Sequence, residues 1–120
     1  MSHPTVKGVV IHPDATHEVR MFKQLKDYQD AVGGYIEGVR FYNYNADDVA
    51  QAYVNEEGWL TNEPSMNPLA SALSFLFGNS PTLAGSMVIV GKGDDEGYDT
   101  DIPEWLLTLI THISQPKGDE

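Results

Sequence analysis

The run at residues 85–91 (GSMVIVG) constrains the fold of this chain more than any other stretch. Its middle is continuously apolar, which is typical of a strand at the centre of a sheet. Further strand patterns lie at residues 5–12, 16–22, 35–44 and 49–55. The chain is therefore expected to build a sheet with residues 85–91 near its middle.

Three other segments have the three- and four-residue spacing of apolar residues that marks a buried helix face. The first spans residues 23–32, the second spans residues 68–77 after an Asn67 cap, and the third begins at Pro103. The resulting order, β-β-α-β-β-α-β-α, predicts an α+β fold. We expect a mainly antiparallel mixed sheet of about five strands, a bulge at Gly38, and about three helices covering one face of the sheet.

The length of 120 residues is that of one domain, and 41% hydrophobic residues are enough for a modest core. Residues 1–114 are expected to form this domain, and residues 115–120 to be a flexible C-terminal tail. The start of the chain lacks the pattern of a secretion signal, and no apolar cluster approaches the roughly 20 residues of a membrane span. A cytoplasmic location without membrane association is the expectation.

Eighteen acidic residues against seven Lys and Arg give a net charge of -11. This charge repels phosphate backbones and anionic lipids, so direct binding of nucleic acid is disfavoured. The acids crowd between Lys92 and Glu104. We expect a solvated acidic loop there and no metal site, because the ligand order of an EF-hand is absent.

The reactive side chains give no recognisable catalytic set. Cysteine is absent, which excludes thiolate nucleophiles and cysteine zinc sites. No two of His3, His12, His17 and His112 have helical metal-site spacing, although His12 and His17 could meet across a hairpin. No nucleophile, histidine and acid can be placed together from the sequence. We therefore expect no catalytic residues, no metal and no cofactor.

Four stretches of the chain occur in a distinctive order. They are residues 32–37 (VGGYIE), residues 54–58 (VNEEG), Asn67 before a helix of small residues, and residues 85–91 (GSMVIVG). With them the chain resembles domain of unknown function family 3846, small uncharacterised domains of tailed phages, actinobacteria and mobile elements. The likeness covers about residues 25–97. It implies a phage or prophage accessory protein in the bacterial cytoplasm, and it supplies no catalytic residue.

The leading hypothesis is a noncatalytic binding protein that modulates a host or phage protein through an acidic and aromatic surface. The candidate partner-binding residues each carry a carboxylate or an aromatic ring: Glu37, Glu56, Glu57, Trp59, Tyr42, Tyr44, Asp94, Asp95, Glu96, Asp99 and Asp101. Glu37 and Glu56 come first among them, because turns and helix caps, which account for the glycines and Asn67 of the same stretches, do not account for these two residues.

Three alternatives stay open. The chain could be an acidic mimic of DNA that occupies a nucleic-acid-binding protein. It could be a small-ligand binder or an enzyme that uses Glu37 and Glu56 in a pocket. It could also be a homo-oligomer that associates through the apolar C-terminal helix, which contains Trp105.

Overall fold

A computed structural model describes residues 5–45, 47–60, 63–79 and 83–118 of the chain. In these residues the strands are β1 (Val6–Ile11), β2 (Thr16–Phe22), β3 (Ile36–Tyr42), β4 (Asp48–Asn55), β5 (Met87–Gly91) and β6 (Gln115–Pro116), and the helices are α1 (Leu25–Val32), α2 (Pro68–Leu76) and α3 (Glu104–Ile113). The predicted α+β class and the predicted order of elements are confirmed. The sheet has six strands instead of about five.

The strand order across the sheet is β3-β4-β5-β1-β2-β6. All neighbouring pairs are antiparallel except β2 and β6, which are parallel. β5 lies between β4 and β1, and all of its residues are buried. The central position predicted for this apolar run is confirmed.

Helices cover both faces of the sheet. Val88 and Val90 of β5 pack in one cluster with Tyr28 of α1, whereas Ile89 packs in the other with Leu106 of α3 and with residues of α2. Successive residues of a strand point to opposite faces, so α1 lies on one face and α2 and α3 lie on the other. The expectation that the helices cover one face is wrong, because both faces of β5 are apolar and each needs a cover.

Residues 115–116, expected in a flexible tail, form the edge strand β6. The Gln115 N–H donates to Ala15 O at 3.1 Å, and the Lys117 N–H donates to His17 O at 2.8 Å. These bonds fix the residues that follow α3 beside β2. Residues 115–117 are thus paired with the sheet, while residues 119–120 lie outside the described residues.

The bulge expected at Gly38 lies elsewhere in β3. Gly38 pairs with Tyr53 in regular register, and the register shifts between Phe41 and Tyr42. At that point the Tyr42 N–H donates to Phe77 O at 2.8 Å. The register shift thus occurs where β3 is hydrogen-bonded to the end of α2, and not at the glycine.

Asn67 connects α2 to the centre of the sheet. Its Oδ1 accepts from the Ala70 N–H at 3.0 Å, which confirms the predicted helix cap. Its Nδ2 donates to Ile11 O at 3.1 Å and to Gly85 O at 2.9 Å. Because the side chain is fully buried, water cannot take the place of these three hydrogen bonds.

Replacing Asn67 with alanine is expected to lower the free energy of unfolding by about 3 kcal/mol, because one amide and two carbonyls lose their partner inside the protein. Urea unfolding followed by circular dichroism measures this. Asn45→Ala is the matched control: its side chain is exposed, so the change should stay within about 0.5 kcal/mol. Equal effects of the two substitutions would contradict the role of Asn67.

Candidate functional site

The acidic segment at residues 92–101, which follows β5, has a defined shape. One carboxylate oxygen of Asp94 accepts from the N–H groups of Glu96 and Tyr98, both at 2.9 Å. The Asp94 N–H in turn donates to Tyr98 O at 2.8 Å. These bonds are those of an Asx turn, so the negative charges lie on an ordered loop.

Asp99 fastens this acidic loop to the face of the sheet that carries α1. The Tyr28 hydroxyl donates to its carboxylate at 2.9 Å, and the Tyr53 hydroxyl donates at 2.9 and 3.0 Å. The rings of Tyr28 and Tyr53 lie 4.9 Å apart, and Tyr28 stacks on Phe22 at 4.8 Å. The helix α1, the strand β4 and the acidic loop therefore meet at one carboxylate.

The two phenols serve as hydrogen-bond donors and not as bases. Burial raises the pKa of Tyr28 and of Tyr53, and the negative charge of Asp99 and the hydrogen bonds to it raise both further. Both hydroxyls stay protonated at neutral pH. The two hydroxyls hold the loop by donating to Asp99. Neither of them can act as a general base at neutral pH.

A cleft of about 210 Å³ lies beside this carboxylate. Its lining residues come from β1, the segment between β2 and α1, α1, β3, β4 and the acidic loop: Val6, Lys23, Gln24, Leu25, Tyr28, Ile36, Tyr53, Gly97, Tyr98 and Asp99. Val6, Leu25 and Ile36 make it partly apolar, while Asp99 and the phenols supply polar groups. We call it the tyrosine cleft; its size suits one large side chain or a small molecule.

Gly91 allows the acidic loop to return across the end of β5. A Cβ at this position would collide with the carbonyl oxygen of Asp101 and with Thr100 Oγ1. The Gly91 N–H donates to Thr100 O at 2.7 Å, and the Ile102 N–H donates to Lys7 O at 2.9 Å. The close backbone approach requires glycine, so the position of the loop depends on this residue.

Gly91→Ala is therefore expected to displace the loop and to lower the free energy of unfolding by about 2 kcal/mol. Amide hydrogen exchange should become faster in residues 92–101, as read by mass spectrometry. In the control Gly93→Ala the new Cβ would lie 3.9 Å from its nearest neighbour, Tyr98 O, so little change is expected. Slow exchange retained in Gly91→Ala would refute this account.

The predicted partner-binding residues divide between the two ends of the sheet. At the end where β5 terminates lie Tyr42, Tyr44, Asp94, Asp95, Glu96, Asp99 and Asp101. At the end where β5 begins lie Glu37, Glu56, Glu57 and Trp59. The predicted loop acids therefore lie on one loop, whereas Glu37 belongs to β3 and Glu56 follows β4.

Glu37 and Glu56 do not converge in a concavity. Both side chains are exposed, and neither lines the tyrosine cleft. Glu57, by contrast, lines a second, shallower cleft of about 510 Å³, which lies at the C-terminal end of α1. Its lining residues are Gln29, Asp30, Gly33, Gly34, Tyr35, Asn55 and Glu57, and we call it the asparagine cleft.

A set of reactive residues that the sequence did not reveal lies at the end of the sheet where β5 begins. His12 Nδ1 is 2.8 Å from Ser86 Oγ, and His12 Nε2 is 2.8 Å from Glu18 Oε1. From the sequence alone, no nucleophile, histidine and acid could be placed together. Ser86 and His12 are 74 residues apart, and only the pairing of β1 with β5 makes them neighbours.

His12 and His17 do not meet across the β1–β2 hairpin. His17 pairs with Ile11 in the ladder, and its Nδ1 lies 2.6 Å from Ser114 Oγ after α3. His12 lies one residue beyond Ile11, so its side chain points to the opposite face. The two histidines thus belong to separate hydrogen-bond networks.

Glu18 carries the negative charge of the His12 network. A hydrogen bond from Arg20, 2.8 Å away, and another from His12 hold the pKa of Glu18 below its ordinary value, although partial burial opposes them. Because the pKa is lower in the folded chain, the charged carboxylate stabilises the fold above the unfolded pKa of about 4.3. This contribution is lost as the pH falls through the folded value.

Glu18→Gln is expected to lower the free energy of unfolding at pH 7 by about 1 kcal/mol, since the ionic part of two hydrogen bonds is lost. The difference from the wild type should shrink steadily below about pH 4, where the carboxylate becomes protonated. Urea unfolding at a series of pH values measures it. The exposed control Glu63→Gln should show no such difference, and a pH-independent effect of Glu18→Gln would contradict the assignment.

Two further findings concern metals and membranes. Among the residues that the structure describes, no three histidine, aspartate or glutamate side chains group as they would around a metal ion. Within the same residues, every helix is too short or too polar to cross a bilayer.

α3 buries Leu106 and Ile110 in the core and leaves Trp105 about half exposed, so its role in a homo-oligomer stays a prediction.

The elements and clefts define a small α+β domain with polar sites at both ends of its sheet. A family model described as domain of unknown function (DUF3846) matches residues 6–114. The chain belongs to this family, and the resemblance found in its sequence is confirmed. Comparisons with curated proteins and with solved structures gave no significant match.

Proposed function

We propose that this chain is an accessory binding protein of a phage or prophage, which modulates a host or phage protein in the bacterial cytoplasm. The docking surface is the acidic loop with the tyrosine cleft beside it. The observation that carries the proposal is the attachment of Asp99 to Tyr28 and Tyr53, because it turns a run of acids into a shaped surface.

Rigidity of the loop favours binding. A loop that is already ordered loses little conformational entropy when a partner docks, so more of the contact energy appears as affinity. Asp94 holds the turn internally, while Asp95 and Glu96 are exposed beside it. These two carboxylates are available to a partner without rearrangement of the loop.

The chemistry of the surface indicates a basic partner. The chain carries a net charge of -11, and the loop concentrates part of it at one end of the sheet. Such a field speeds association with a positive surface and rejects negative ones. The tyrosine cleft is partly apolar and has Asp99 in its lining, which suits a lysine or arginine side chain of the partner, with its stem against Leu25 and Ile36.

A photo-crosslinking experiment tests where the partner docks. Benzoylphenylalanine placed at Leu25, on the rim of the cleft, is expected to form an adduct with a basic protein in bacterial lysate at low salt. The same group at Leu76, on the opposite face of the sheet, is the control. The two positions have similar exposure, 56% and 63%, so differences in yield report location. Adducts from Leu76 alone would rule out the proposed surface.

Charge reversal then tests the acids with the identified partner. Asp95→Lys with Glu96→Lys should weaken binding roughly tenfold or more and reduce its salt dependence. Glu56→Lys with Glu57→Lys makes the same change in net charge at the other end of the sheet, and it should have a smaller effect. Equal losses would show that net charge alone acts.

Competition by duplex DNA would identify the partner as a DNA-binding protein and favour mimicry of DNA.

A further inference from the structure

The hydrogen bonds around His12 fix the position of its proton. Glu18 is ionised at neutral pH and can only accept, so His12 Nε2 carries the hydrogen and donates to Glu18 Oε1 at 2.8 Å. In the tautomer that carries only this hydrogen, Nδ1 has a free lone pair. The Ser86 hydroxyl, 2.8 Å away, is placed to donate to that nitrogen. A serine that donates to a histidine oriented by a carboxylate is the arrangement of an activated nucleophile.

Strand register places this group next to the asparagine cleft. The β1–β5 register, continued by one residue past Ile11 and Met87, sets His12 opposite Ser86. The β4–β5 register, continued in the same way, sets Asn55 on the other side of Ser86. Asn55 lines the asparagine cleft. Ser86 and the asparagine cleft therefore share Asn55 as a neighbour.

The group is accessible to reagents from solution. Ser86 is partly exposed, and the side chains of His12 and Glu18 retain 15% and 26% of their exposure. Gly85, just before Ser86, has a φ of 84°, a left-handed conformation that glycine adopts without strain. This turn brings the chain into β5, with Ser86 immediately before the first residue of the strand.

From this geometry we propose that Ser86 is a nucleophile for acyl transfer, with His12 as its general base and Glu18 as the residue that orients His12. The substrate class is a small carboxylic ester held in the asparagine cleft. This activity goes beyond the proposed docking function and uses the opposite end of the sheet.

The reaction conserves atoms and charge at each step. Ser86 Oγ attacks the ester carbonyl carbon while its proton moves to His12 Nδ1. The tetrahedral intermediate expels the alcohol, which takes that proton, and an acyl group remains on Ser86. Water then gives a proton to His12 Nδ1 and attacks the acyl carbon. The carboxylic acid leaves, and Ser86 Oγ recovers its proton.

A second serine–histidine pair in the same chain provides an internal comparison. Ser114 Oγ lies 2.6 Å from His17 Nδ1, but its hydroxyl donates to Ile110 O at 2.5 Å. His17 Nδ1 must therefore donate to Ser114 Oγ, and it takes no proton from it. Both residues are also buried. Proximity to a histidine is thus common to both pairs, whereas activation is expected at Ser86 alone.

Labelling with an alkyl fluorophosphonate tests the nucleophile. Ser86 Oγ would attack phosphorus and expel fluoride, and peptide mass spectrometry locates the adduct. We expect a single adduct on Ser86, none in Ser86→Ala, and unchanged labelling in Ser114→Ala. His12→Ala should slow the labelling about 100-fold and Glu18→Gln about tenfold. Circular dichroism checks that each variant is folded. If His12→Ala does not fold, the role of the histidine network is tested by Glu18→Gln alone.

The substrate class is tested by hydrolysis of 4-nitrophenyl butyrate, which should stop in Ser86→Ala. The proposal would be overturned if the wild-type chain formed no adduct, or if the exposed Ser65 were labelled as fast as Ser86. It would also be overturned if Ser86 were labelled as fast in Glu18→Gln as in the wild type. Absence of ester hydrolysis would overturn the acyl-ester assignment. None of these measurements involves a docking partner, so their failure leaves the proposed function unaffected.

Discussion

All residues of β5 are buried, and the free-energy cost of exposing their apolar side chains governs how the other elements are arranged. A strand that is apolar on both faces needs a layer above and a layer below it. α1 provides one layer, and α2 with α3 provides the other. β1 and β4 occupy the two edges of β5, so its backbone groups are paired as well. The three-layer architecture follows from this single strand.

The two ends of β5 are also where the polar chemistry of the molecule lies. Beyond Gly91 the chain enters the acidic loop, whose Asp99 is held by phenols from α1 and β4. Just before Met87, Ser86 meets His12 from the end of β1. Between these ends the strand is covered, so the sites are accessible only where the covering layers stop. A buried central strand thus separates a surface suited to docking from a group suited to nucleophilic chemistry.

Local patterns were sufficient for the elements other than β6 and insufficient for their layering. The Asn67 cap and the central apolar strand were predicted correctly, because capping and burial depend on residues close in sequence or on the composition of one strand. The acidic loop was predicted as a cluster, yet nothing in it indicated that Tyr28 and Tyr53 would hold Asp99, at separations of 71 and 46 residues. Glu37 and Glu56 were singled out, and they lie exposed outside the tyrosine cleft.

The amino-acid order alone specified an α+β chain with a strongly negative surface, because helix spacing, strand composition and charge are properties of neighbouring residues or of the total. Folding in three dimensions decided which polar groups meet. His12 follows β1 and Ser86 precedes β5, two strands that are far apart along the chain, and their side chains become neighbours only through the register of β1 on β5. Register is fixed by burial of the whole sheet, since a shift of one residue would turn each apolar side chain to the wrong face.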